Sequence, residues 1–117
     1  MAVPDRRRSV GIAGEDAAAA WYEANGYSVV ARNWRCRDGE IDLIVRLGRI
    51  MVFCEVKARG STAFGAPAEA VTKAKQVRIR HLAARWLADW DGPRAGELRF
   101  DVASVLDGTV EILEGAF

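Results

Sequence analysis

The sequence predicts one α/β domain whose elements run helix, three strands, helix, two strands, and three observations carry that reading. An alanine-rich stretch with helical spacing comes first, a strand-like run from Asp38 to Arg59 follows, and a second long helical pattern leads into a hairpin at Asp107-Gly108. With 117 residues, half of them apolar, the chain can bury a core without disulfides or structural metals.

Residues 1–8, which include Arg6-Arg7-Arg8, read as a flexible basic arm ahead of a single domain over 9–117. From Ser9 to Asn25 a helix is predicted with Ala17, Ala20, Trp21 and Ala24 on its buried side, and Asn25-Gly26 supplies its left-handed end. Glu15 lies near the start of this helix, where an acid is favourable to the helix dipole without any chemistry. Tyr27 to Trp34 reads as the first strand, and Arg35 to Asp38 as a turn.

Asp38 to Arg59 then forms a hairpin. If Gly48-Arg49 is its two-residue loop, Leu47 pairs with Ile50 and all opposed residues have numbers summing to 97. Asp42 then faces Glu55, and Glu40 faces Lys57. Opposed carboxylates repel unless a positive charge neutralises them, so this pair asks for a cation. A plain solvated face would account for Glu40 opposite Lys57 but not for Asp42 opposite Glu55.

Gly60 to Pro67 is a loop carrying Phe64, read as a core or loop anchor. A helix is predicted from Pro67 to about Trp90, with Ile79, Leu82, Ala83, Trp86, Leu87 and Trp90 on one stripe. Two strands close the chain, Glu97 to Leu106 and Thr109 to Leu113. On the former, Asp101 shares a face with Arg99 and is read as its partner.

The net charge is only +1, but residues 57–85 carry seven basic groups and one acidic one. Such a block suits a polyanion or forms a solvated helix face. Cys36 and Cys54 stand eighteen positions apart without a neighbouring histidine, which argues against a zinc site or redox pair, and the lone His81 has no partner at ligand spacing. No apolar run is long enough to span a bilayer or act as a signal peptide, so a cytoplasmic protein with no membrane association is expected.

Two opposed acids, a lysine two residues beyond one of them, and a basic helix compose a hydrolytic set. Magnesium or manganese takes hard oxygen ligands, often one or two carboxylates with waters and a phosphate oxygen. Asp42 and Glu55 would supply the carboxylates, the Val56 carbonyl a further oxygen, and Lys57 would orient water or offset developing charge. Phosphodiester hydrolysis is the reaction such a set can run.

Asp42 followed thirteen positions later by Glu55-Val56-Lys57 resembles the signature of the PD-(D/E)XK nuclease superfamily. More specifically, Gly14-Glu15, Asn33-Trp34-Arg35, Gly39 to Ile44, Phe53 to Arg59, Phe64-Gly65, Lys75-Gln76 and Arg99 to Val102 resemble the YraN family of bacterial predicted endonucleases. The resemblance spans about residues 11–105 and implies a restriction-endonuclease-like core, a central mixed sheet flanked by helices in the order α-β-β-β-α-β-β. It implies metal ligation by Asp42 and Glu55 and a catalytic role for Lys57. Similarity to archaeal Holliday-junction resolvases brings Glu15 to the metal as well, and Gln76 becomes a candidate polar residue on the second helix. DNA is the implied partner, with Arg59, Lys73, Lys75, Arg78 and Arg80 holding phosphates. Symmetric cleavage of two strands would require a homodimer. The competing reading is an interaction module that keeps the nuclease fold without its activity.

Overall fold

Alanine and arginine are good helix formers, and helix α1 spans Arg6–Ala24 in the computed structural model, which describes residues 6–59 and 71–117 (side chains for 11–58 and 71–117). The helix therefore starts three residues earlier than predicted, and Arg6 to Arg8 form its first turn instead of an arm. Its end is as expected, with Gly26 at φ +90°.

The buried face of α1 is not the predicted one. Ala18 and Tyr22 are fully buried and Ala19 nearly so, whereas Ala20 and Ala24 are exposed and Trp21 is only partly covered. A run of alanines marks no face strongly, and the phase is set instead by what Tyr22 can reach. Its hydroxyl donates to the carboxylate of Asp101 at 2.7 Å, in the interior. Asp101 also receives Arg99 through both Nε and Nη2 at 2.9 Å and the Gly115 amide at 3.0 Å. The predicted Arg99 and Asp101 pairing is thus present, and Asp101 ties α1, the strand from Glu97 to Leu106 and the C-terminal tail together. Burial pushes the Tyr22 hydroxyl well above its ordinary pKa, with Cys54 and Asp101 adding to the effect.

Five strands form one mixed sheet in sequential order: β1 (Ser28–Cys36), β2 (Gly39–Leu47), β3 (Ile50–Arg59), β4 (Glu97–Leu106) and β5 (Thr109–Leu113). Neighbours are antiparallel except β3 and β4, which run parallel. That parallel step is made possible by helix α2 (Lys73–Asp89), which crosses the sheet between them. α2 begins later than predicted because Thr72 caps it, its hydroxyl accepting from the Lys75 amide at 3.2 Å, and Val71 is outside the helix. The predicted helical start at Pro67, and Phe64, lie outside the described residues.

The two helices cover opposite faces. Ala18, Ala19, Tyr22 and Tyr27 pack with Leu43, Val45, Val52 and Cys54 on the α1 side. Ile79, Leu82, Ala83 and Trp86 pack with Ile44, Met51, Phe53 and Phe100 on the α2 side. Cys54 is a buried free thiol on the face away from Glu55, and burial pushes its pKa up to about 12. Among the described residues, no helix is long and apolar enough to cross a membrane.

Candidate active site

The β2 and β3 hairpin has the register expected from its turn, with Leu47 opposite Ile50 and pairs continuing to Leu43 opposite Cys54. The next pair in that register would be Asp42 with Glu55, and there the backbone ladder stops. In place of a strand carbonyl, the Asp42 carboxylate accepts the Val56 N–H at 2.9 Å. The two strands therefore part at the acidic pair, leaving a gap on the α2 face.

Beyond that gap Glu40 no longer meets Lys57. It pairs instead with Arg35 on β1, its register partner there, at 2.9 Å. Lys57 stays with Glu55 on its own strand at 3.4 Å. The expected Glu40 and Lys57 pair is corrected by this divergence, since a register holds only as far as the ladder that enforces it.

Lys75, expected among the phosphate-holding residues, reaches in from the first turn of α2 to within 2.5 Å of the same Glu55 oxygen. The positive charge that the opposed acids require is therefore supplied here by two ammonium groups. Burial lowers the Lys57 pKa, and neighbouring Lys75 lowers it further against the pull of Glu55. For Lys75 burial acts in the same sense, but contacts to Glu55 and Lys57 outweigh it and hold the pKa above its ordinary value. Asp42 is pushed up to about 7, first by burial and then by the Glu55 charge, with the Val56 hydrogen bond opposing and Glu15 and Glu40 adding.

Asp42, Glu55, Lys75 and Arg78 line a cavity of about 240 Å³, closed by Gly39 and Glu40 on one side and by Ile79 and Leu82 of α2 beneath. Glu15 approaches from α1. Gly14 makes that approach possible, because a Cβ there would stand 2.5 Å from the Ala58 Cβ on β3. Asn33 then holds the acid, its amide donating to Glu15 at 2.9 Å. Arg32 pairs with Leu43 and Trp34 with Ile41, so Asn33 falls opposite Asp42. Its φ of +52° is a left-handed conformation that asparagine tolerates better than most residues. Asn33 had no assigned role in the sequence, although it stands in the Asn33-Trp34-Arg35 motif that carries the family resemblance and is an asparagine inside a strand-like run.

The remaining candidates are dispersed. Gln76 donates to the Val71 carbonyl at 3.1 Å and does not line the cavity. Lys73 is exposed at the start of α2. Arg80 lies over the Phe100 ring at 4.6 Å and near Phe117, away from the acidic pair. The Arg59 side chain lies outside the described residues. His81 is exposed, as expected of a surface histidine.

As a donor set, Asp42 and Glu55 offer hard carboxylate oxygens, which suit magnesium or manganese and no soft metal. Among the described residues no group of three or more His, Cys, Asp or Glu side chains is arranged to hold an ion, and Glu15 bears on Asp42 through its charge. Two carboxylates with water and phosphate oxygens are a sufficient set for magnesium.

The sequence model of a family described as "Uncharacterised protein family UPF0102" matches residues 14–105. A UPF0102 protein of Beutenbergia cavernae is 56% identical over 98 residues, covering 84% of this chain and 82% of its own length. One from Frankia casuarinae is 50% identical over 115 residues, covering 93% and 96%. Another, from Leifsonia xyli, is 48% identical over 102 residues, covering 87% and 86%.

Proposed function

The chain belongs to the UPF0102 family, and we propose that it is a magnesium- or manganese-dependent endonuclease hydrolysing DNA phosphodiester bonds. The observation that carries this reading is the parted hairpin, where Asp42 and Glu55 share one cavity with Lys75 while Lys57 contacts Glu55. When bound, a divalent ion supplies positive charge against a phosphate and acidifies water.

This chain's own residues would do the rest. The Val56 amide restrains the Asp42 carboxylate at the cavity wall, which lowers the cost of ordering it there. Glu55 is mostly buried, which strengthens its interaction with any cation that replaces an ammonium group there. Lys57, whose Nζ stands 3.4 Å from Glu55, can orient a water or offset charge building on the phosphate. Lys75 and Arg78 present cations to the phosphate from α2. Asn33 keeps Glu15 at the edge of the site, where its charge bears on Asp42. Phosphate contacts carry no sequence information, so discrimination by DNA structure, such as a branch or a lesion, is the expected mode.

One observation favours a second reading, a nucleic-acid or protein interaction module without hydrolysis. Glu55 is already neutralised by Lys57 and Lys75. Calorimetric titration of magnesium and manganese separates the two readings. The nuclease reading requires binding that Asp42→Ala removes, and it requires metal-dependent cleavage that Glu55→Ala abolishes on a panel of single-stranded, duplex, flapped and four-way-junction DNA. Absence of both leaves the interaction module.

A further inference from the structure

We propose that the turn between β1 and β2 is a second phosphate-binding arm, in which Arg37, with Arg35, holds the DNA strand next to the phosphate at the acidic pair. The inference rests on the nuclease reading and extends it to how the strand is held.

An open, shallow recess of about 360 Å³, lined by Arg35, Cys36 and Arg37, adjoins the acidic cavity, and the two share Gly39 and Glu40. The turn is held in that place chiefly by the close approach of Gly39 to α2, with an exposed ion pair beside it that adds little. Gly39, at φ +147°, passes so close to α2 that a Cβ would stand 3.2 Å from Leu82 Cδ1. Asp38 meets Arg85 of α2 at 3.5 Å. The arm is therefore held against the same helix that contributes Lys75 and Arg78.

Charge decides what it would hold. Lys57 and Lys75 are taken up by Glu55, so a strand crossing the acidic pair needs further cations on both sides to hold its flanking phosphates. Arg78 stands on the α2 side, and neither it nor Arg37 forms an ion pair among the described residues. Arg35 is paired with Glu40, but both side chains are largely exposed, at 75% and 47%, so the pair is weak and can open to a phosphate. Glu40 lies two residues from Asp42, about 7 Å by strand rise. An anion on the arm would thus sit near the neighbouring position of a strand whose scissile phosphate lies between the acids. Arg80, occupied over Phe100, offers no such continuation.

The test is fluorescence anisotropy of labelled single-stranded and flapped DNA against the full chain, with calcium replacing magnesium to prevent hydrolysis, over a salt series. Arg37→Ala is expected to weaken binding several-fold and to lower the slope of log affinity against log salt by about 0.7–0.9, one phosphate contact. Arg94→Ala, an exposed change near the start of β4 at the far end of the sheet, is expected to leave both unchanged. Wild-type affinity and slope in both Arg37→Ala and Arg35→Ala, in a protein whose cleavage depends on Asp42, would overturn the arm while leaving the nuclease reading standing. A wild-type chain that binds no DNA would overturn both.

Discussion

The Asp42 carboxylate accepts the Val56 N–H at 2.9 Å, one residue beyond the last backbone pair of the hairpin, Leu43 with Cys54. A side chain thus occupies a place where a strand carbonyl would otherwise sit. This substitution opens the gap in which Asp42 and Glu55 share a cavity, and it makes Asp42 responsible for local backbone satisfaction as well as for charge.

The raised Asp42 pKa fixes the sign of a pH dependence. An unfolded aspartate releases its proton near pH 4, whereas the folded one keeps it to about 7. The folded state therefore holds the extra proton between those values, and this contribution to stability declines as pH rises through that window. Thermal unfolding across the range should show a fall that Asp42→Asn flattens. Magnesium binding should show the opposite trend, tightening as pH rises towards 7, with proton release measurable by calorimetry in buffers of different ionisation enthalpy.

Lys57→Ala should reduce manganese-dependent cleavage by about a hundredfold or more, the usual loss for one preorganised positive donor. DNA affinity should change little, since Lys57 contacts Glu55 and does not line the cavity. Single-turnover cleavage alongside anisotropy checks both halves, and unimpaired cleavage would remove Lys57 from the mechanism.

Asn33→Gly keeps the left-handed backbone available while deleting the bond to Glu15. Its cleavage rate should fall to about that of Glu15→Gln, and the double variant should be no slower than either single one. Independent, additive losses would show that Asn33 does not act through Glu15.

Gly14→Ala should destabilise the fold by about 1–3 kcal/mol, because the added Cβ meets Ala58 on β3. Ala58→Gly in the same chain should recover most of that loss. Urea unfolding of the four members of this cycle gives the coupling directly.

Asp101→Ala should cost about 3–5 kcal/mol, since it strips Arg99 of its bidentate partner and leaves the Tyr22 hydroxyl buried without an acceptor. Tyr22→Phe, which removes only one of the donors to Asp101, should cost about 1–2 kcal/mol. Chemical denaturation at neutral pH measures both.

The sequence by itself determined the elements and the hairpin register. Turns are local, so Gly48-Arg49 and Asp107-Gly108 were sufficient to place Leu47 opposite Ile50 and Leu106 opposite Thr109, and counting outward led to Asp42 and Glu55, the first positions past the observed ladder. Tertiary structure decided what crosses between layers. An alanine-rich helix carries little phase information, so the burial of Tyr22 in place of Trp21 depended on a buried acceptor seventy-nine residues away. The same holds at the site. Lys75 reads as one cation of a basic helix until packing of α2 on the sheet sets it against Glu55, and Asn33 reads as a strand residue until Gly14 lets α1 bring Glu15 within its reach. Periodicity and turns act along the chain, whereas these contacts depend on how closely a helix can approach a strand, a distance that exists only once both are packed.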